Sequence, residues 1–152
     1  DGLGMRVVYH DLQPPPTGWD WAERLPLDRV LSSADAVTLH VPLTPATRHL
    51  IGRRELALLK PTAILVNASR GPVVDEQALI EALRQGRLAG AALDVFEEEP
   101  LQGVHPLCEF DNVVLTPHIA SATGETVRRM ALEATEEVLA VLQGREPRHR
   151  VV

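Results

Sequence analysis

The stretch Ala63–Arg70, AILVNASR, most constrains what this chain can become. An apolar run leads into a short polar turn that ends on a lone arginine. A run this apolar reads as a strand buried on both faces, as a parallel sheet flanked by helices requires. Val74 and Asp75 then read as the approach and N-cap of a helix. Leu79, Ile80 and Leu83 share one face of it, and Gly86 is its stop. Asn67, Ala68, Ser69 and Arg70 therefore fall where strand becomes loop. In open α/β sheets that carboxyl edge is where ligands bind. An arginine there, beside short polar residues, suits an anionic substrate and the edge of a cofactor.

The same alternation runs through the rest of the chain. RVVYH, residues 6–10, reads as a strand closed by Asp11, with Pro14, Pro15, Pro16 and Gly18 as a loop. Leu27, Val30 and Leu31 have helical spacing up to Ser33. AVTLHV, residues 36–41, is a strand stopped by Pro42, and Arg53 to Leu59 is a short helix ending before Pro61. AGAALDV, residues 89–95, is a strand so rich in small residues that it must be tightly covered. Phe96 to Pro106 is an acidic loop, and NVVLT, residues 112–116, is a strand ended by Pro117. A long helix follows from about Gly124 to Gln143. Its apolar face is Val127, Met130, Ala131, Ala134, Val138, Val141 and Leu142, and Gly144 ends it. Strands alternating with helices predict a parallel, doubly wound α/β sheet with right-handed crossovers, Rossmann-like in kind.

Composition narrows the function classes. The 152 residues suffice for one domain with a real core. The net charge of −6 with scattered basic residues argues against nucleic-acid binding. No apolar run approaches a membrane span, and no signal-like start is present. The single cysteine, Cys108, cannot form an internal disulfide, which favours the cytosol, and it reads as a small buried hydrophobe.

Several polar residues sit at strand ends. Asp11 follows the first strand, where in a dinucleotide fold an acid hydrogen-bonds the ribose diol and repels a 2′-phosphate. Arg70 offers bidentate contact to a carboxylate. Asp94 ends an apolar strand, so its carboxylate needs donors, from a nicotinamide carboxamide or from a nearby helix N-terminus. His118 follows Thr116 and Pro117 and can shuttle a proton near neutral pH. A carboxylate beside such a histidine fixes its tautomer and raises its pKa. Glu99 reads as that partner, with Glu97 and Glu98 as alternatives, and with a solvated face as the alternative for the whole acidic run. His10, His40, His49, His105 and His149 read as structural or surface residues, and no zinc-ligand spacing is present.

At these residues the chain resembles the D-isomer-specific 2-hydroxyacid dehydrogenases. The segments ADAVTLHVPLTPATRHLIG, LLKPTAILVNASRGPVVDEQALIEAL, AALDVFEEEP and NVVLTPHIAS carry the likeness, in order and at family-like spacing. The glyoxylate and hydroxypyruvate reductase branch is most similar, with phosphoglycerate dehydrogenases close. The resemblance implies an NAD-dependent oxidoreductase that reduces a small 2-oxo acid to the D-2-hydroxy acid. By it, Arg70 binds substrate, and Glu99 and His118 form the proton relay. Asp11 holds the adenosine ribose, and Asp94 the nicotinamide amide. Ala68, Ser69 and Arg70 border the nicotinamide, Val41, Pro42 and Thr47 line the adenosine side, and His118, Ile119, Ala120 and Ser121 lie near the cofactor. A homodimer is the implied assembly. The rival readings are a corepressor-like protein that senses NADH, and a bare α/β module without ligand.

The chain departs from the pattern at its start. Gly2 and Gly4 supply only the first two glycines of a phosphate-binding fingerprint, and they precede a strand instead of following one. The resemblance places a first strand, a first helix and a substrate domain upstream of Asp1. Without that central strand RVVYH has no neighbour joining it to the rest of the sheet, and the isolated chain is expected to be inactive and prone to aggregate.

Overall fold

The computed structural model describes residues 4–14, 17–18, 21–101 and 103–150. Gly2, Pro15 and Pro16 lie outside the described residues. The chain divides into two units, one running to Pro117 and one from His118.

In the first unit the apolar run becomes β4 (Ile64–Asn67), the second strand of a four-stranded parallel sheet. Its neighbours are β3 (Ala36–Leu39) and β5 (Gly90–Leu93), and β6 (Val113–Leu115) closes the far side. The register sets Val37, Leu65, Ala91 and Val113 side by side, then Leu39, Asn67, Leu93 and Leu115. Those two rows share one face, because side chains alternate along a strand. That face carries the core. Leu65, Ala91 and Leu93 are buried with Leu31, Ile51, Leu56, Val73, Leu79, Ile80, Leu83 and Leu107. The opposite face is different. Ile64 is 46% and Val114 64% exposed. The expectation that AILVNA is buried on both faces is therefore corrected: β4 buries the Leu65 and Asn67 side only. The small-residue strand β5 is the best covered of the four, as its composition implied.

Helices join the strands. α1 (Leu27–Ser33) precedes β3, the short α2 (Arg53–Leu56) precedes β4, and α3 (Glu76–Arg84) precedes β5. Asp75 caps α3, its Oδ1 accepting from the Ala78 N–H at 3.0 Å, and Gly86 takes a left-handed φ of 63° just past its end. The helix at Arg53 is shorter than its pattern suggested. Before β6 the chain makes a 3₁₀ turn, Pro106–Glu109, that buries Leu107. Cys108 on this turn is exposed, which overturns its reading as a buried residue. The turn faces its one apolar anchor inward and the thiol outward.

RVVYH is ordered differently from expectation. Only β1 (Val8–Tyr9) is paired, and its partner is β2 (Glu23–Arg24), a segment without strand-like patterning. A charged two-residue strand has no hydrophobic period; backbone bonds pair it, with Glu23 N donating to Val7 O and Leu25 N to Tyr9 O, and the Arg6 guanidinium donates to the Glu23 carboxylate beside them. β1 and β2 form a sheet of their own, apart from β3–β6, in keeping with the expected break.

The second unit is built on α4 (Gly124–Leu142). Thr123 caps it, its Oγ1 accepting from the Thr126 N–H at 3.1 Å, and Gly144 ends it at a φ of 71°. The apolar stripe is present, and Val127, Met130, Val138, Val141 and Leu142 on it are exposed. The tail turns back onto the helix. Arg148 donates from its backbone and its Nε to Glu137 at 2.7 and 2.9 Å, and from Nη2 to Glu136 at 2.7 Å. Burial acts to raise the Glu137 carboxyl, but the side-chain and backbone hydrogen bonds of Arg148 and the backbone of His149 outweigh it. The carboxyl is held below its ordinary value. A lowered folded-state pKa means the tail's contribution is present above the ordinary carboxylate pKa and is lost as pH falls through the lowered one. The Arg148 amide resonance is expected to hold its bonded position at neutral pH and shift on acidification, and in a Glu137→Gln variant to lose that titration. An Arg148 shift that persists in the variant would contradict the pairing. No described helix is long and apolar enough to cross a membrane.

Candidate active site

Four strand ends, β3 to β6, open on one edge of the parallel sheet, and most of the singled-out polar residues lie there. Asn67 organises the turn after β4. Its side chain is 1% exposed because it falls on the buried row beside Leu39 and Leu93. Its Oδ1 accepts from the Ser69 N–H at 3.1 Å and from the Ser69 hydroxyl at 2.8 Å, while its Nδ2 donates to the Arg70 carbonyl at 3.0 Å. An asparagine side chain thus replaces backbone partners around Ala68–Arg70. Ser69 is buried by these bonds, and Ala68 and Arg70 are exposed. The Arg70 guanidinium donates from Nη1 to the Ser69 carbonyl at 2.7 Å, which folds it over its own turn. In the sequence the one signal for this role is the position of Asn67 between an apolar strand and a polar turn.

The next residue joins this turn to the acidic loop. A Cβ on Gly71 would stand 1.8 Å from the Phe96 carbonyl oxygen and 2.6 Å from the Glu97 nitrogen. The backbone after Arg70 therefore touches the backbone of the Glu99 loop, an approach that only glycine permits. In that loop the Phe96 N–H donates to Glu99 Oε1 at 2.9 Å. Asp94, buried at the end of β5, donates from its N–H to the Asn67 carbonyl at 3.0 Å and accepts from the Thr116 hydroxyl at 2.5 Å. Thr116 supplies a donor to Asp94 that no pattern in the sequence marks. Of the acidic run, Glu97 is engaged elsewhere, with His49 Nε2 at 2.7 Å, and Glu98 is exposed.

The remaining candidates are spread out. Asp11 is exposed after β1, its Oδ1 accepting from the Gln13 N–H at 2.8 Å, and Arg24 donates to its carbonyl at 2.7 Å. Val41, Pro42 and Thr47 share one turn, closed by the Thr47 hydroxyl donating to the Pro42 carbonyl at 2.6 Å. His118 opens the second unit with a left-handed φ of 54°, followed by Ile119, Ala120 and Ser121, all exposed. Asn67, Ala68, Ser69, Arg70, Asp94 and the Glu99 loop are thus brought together within the first unit.

Known proteins resemble the chain in sequence and in fold. Residues 1–120 match the family model described as D-isomer specific 2-hydroxyacid dehydrogenase, NAD binding domain. The chain is 52% identical over 150 residues to a glyoxylate reductase of Aeropyrum pernix, covering 95% of this chain and 44% of that protein. It is 51% identical to glyoxylate/hydroxypyruvate reductase B of Erwinia tasmaniensis, covering 95% and 46%. It superposes with a TM-score of 0.90 and 34% identity on the NAD-complexed D-isomer specific 2-hydroxyacid dehydrogenase of Lactobacillus delbrueckii ssp. bulgaricus, covering 99% of this chain and 50% of that one. The chain spans under half the length of the curated relatives it matches. With the Rossmann-like parallel sheet and the family model matched over most of its length, the chain belongs to the D-isomer-specific 2-hydroxyacid dehydrogenases, in their NAD-binding domain.

Proposed function

We propose that the complete protein reduces a small 2-oxo acid, of the glyoxylate or hydroxypyruvate type, to the D-2-hydroxy acid with NADH. The approach of Gly71 to the Phe96 carbonyl carries the reading, because it sets the turn of a substrate-sized cation, Arg70, against the loop of a carboxylate, Glu99.

The donor set suits a nicotinamide dinucleotide. Asp11 offers an exposed carboxylate after β1 for a ribose diol. Asp94 offers a buried one, oriented by Thr116, for a carboxamide. Val41, Pro42 and Thr47 would line the adenosine side, Ala68 and Ser69 would border the nicotinamide, and Ile119, Ala120 and Ser121 would lie near the cofactor. Bound NADH supplies the hydride. Arg70 holds the substrate carboxylate with its fork of N–H groups and polarises the neighbouring carbonyl. His118 gives a proton to the alkoxide oxygen as charge develops there, with Glu99 as the second member of the proton relay. The protein's share is positioning and charge.

Arg70 variants of the complete protein test the substrate assignment. Loss of a charge-assisted bidentate contact is worth about 1.5–3 kcal/mol, so Arg70→Ala is expected to lower kcat/KM for glyoxylate roughly 10–150-fold. Arg70→Lys keeps the charge without the fork and recovers only part. Unchanged kcat/KM in Arg70→Ala would remove the arginine from the substrate site.

A further inference from the structure

We propose that Glu76 and Glu97 form a bracket that positions Glu99, so that the proton step depends on two acids that touch neither substrate nor cofactor. The inference rests on the assignment of Glu99 made above. Glu76 is the first residue of α3, and Glu97 stands two residues before Glu99. The two are bonded reciprocally: the Glu97 N–H donates to Glu76 Oε2 at 3.3 Å, and the Glu76 N–H donates to Glu97 Oε1 at 3.4 Å. Each carboxylate is then closed by a histidine. His49 Nε2 lies 2.7 Å from Glu97 Oε1, and His105 Nε2 lies 3.1 Å from Glu76 Oε1.

The bracket reaches Glu99 through Phe96. The N–H of Phe96 holds the Glu99 carboxylate, its carbonyl abuts Gly71, and its ring meets the His105 ring edge-on with centroids 6.3 Å apart. Fixing Glu97 to the start of α3 therefore fixes the residue that holds Glu99. The far anchor is equally tied down. His49 sits at a left-handed φ of 52°, its N–H donates to the Pro72 carbonyl at 2.8 Å, and Ile51 exchanges backbone bonds with Val73 and Asp75. The 49–51 segment, the turn after Arg70, the start of α3 and the Glu99 loop thus meet at one cluster, with both Arg70 and Glu99 at its margin.

The hydrogen-bond polarity makes the proposal specific. His105 Nδ1 accepts from the Leu107 N–H at 3.3 Å, so Nε2 carries the proton and donates to Glu76. Both oxygens of Glu76 consequently face donors. Glutamine at 76 would turn its NH₂ group toward an N–H and break one arm. At Glu97 a single oxygen accepts both bonds, so glutamine there keeps the bracket.

The test is steady-state kinetics of the complete protein with glyoxylate and NADH. Glu76→Gln and Glu97→Ala are expected to lower kcat ~10–100-fold, the scale of a displaced catalytic group, with both KM values little changed. Glu97→Gln is expected to recover most of kcat. Glu97 is only half-buried, so its alanine variant decides the matter if the Glu76 variant does not fold. A kcat that stays at the parent value in Glu97→Ala, or that Glu97→Gln lowers as far as Glu97→Ala does, would overturn the proposal. Glu99→Gln is measured beside them. If it lowers kcat while the bracket variants do not, the bracket fails alone. If it leaves kcat unchanged, the assignment of Glu99 fails and the bracket's role falls with it.

Discussion

Replacing His118 by alanine in the complete protein is expected to lower kcat about 10²–10⁴-fold, the usual worth of a positioned general acid, while the KM for NADH moves little. The imidazole is asked only to deliver a proton to a developing alkoxide, so its loss falls on turnover. The backbone supports separating rate from folding. His118 stands at a φ of 54°, a region L-residues seldom occupy, and alanine inherits the same conformation with the same Cβ. The side chain is exposed, so its removal opens no cavity in a packed core. A His118→Ala protein with near-normal kcat would end its assignment as the acid.

Gly71→Ala is expected to be the most damaging single methyl group in the first unit. The new Cβ would meet the Phe96 carbonyl oxygen at 1.8 Å, its carbon at 2.0 Å and the Glu97 nitrogen at 2.6 Å. All three are backbone atoms, so no side-chain rotation relieves the clash. Neither partner yields readily. Gly71 accepts from the Val74 N–H at 3.1 Å, and the Phe96 segment is held by Glu76 and by Asp94 bonded to Asn67. Overpacking of this kind costs about 3 kcal/mol, which lowers Tm by several degrees, and the forced separation of the Arg70 and Glu99 loops lowers kcat/KM as well. Gly90→Ala is the informative control. Its Cβ would stand 2.5 Å from the Asn112 carbonyl, but at the start of β5, away from the carboxyl edge. It should lower Tm and leave kcat/KM near the parent value. Parent-like Tm and kinetics in Gly71→Ala would show that the two loops do not meet as described.

The contrast between those two glycines shows what a linear reading reaches. Local signals survived folding. Asp75 caps α3, Leu79, Ile80 and Leu83 are buried on it, Gly86 ends it, and Arg70 emerges at the exit of β4, because each depends on residues within a turn or two. Non-local contacts did not show. The approach of Gly71 to Phe96 joins segments that are distant in the chain, and no periodicity marks it. Glu97 meets His49 and Glu76 by the same kind of long-range contact. The pairing of β2 rests on backbone bonds that charged residues conceal. Burial was the other weak point. Ile64 and Cys108 have the composition of core residues, but exposure depends on which elements cover a face, and the rows of the sheet fill only one side. Asn67 was legible in principle, since an asparagine between an apolar strand and a Ser-Arg turn is a residue able to wrap that turn.

The central claim is tested most directly by following NADH oxidation by the complete protein on addition of glyoxylate or hydroxypyruvate. Substrate-dependent consumption of NADH, with weaker use of NADPH because Asp11 repels the 2′-phosphate, is the predicted result. NADH that binds but is consumed with neither acid would contradict a reductase and favour a protein that senses the cofactor.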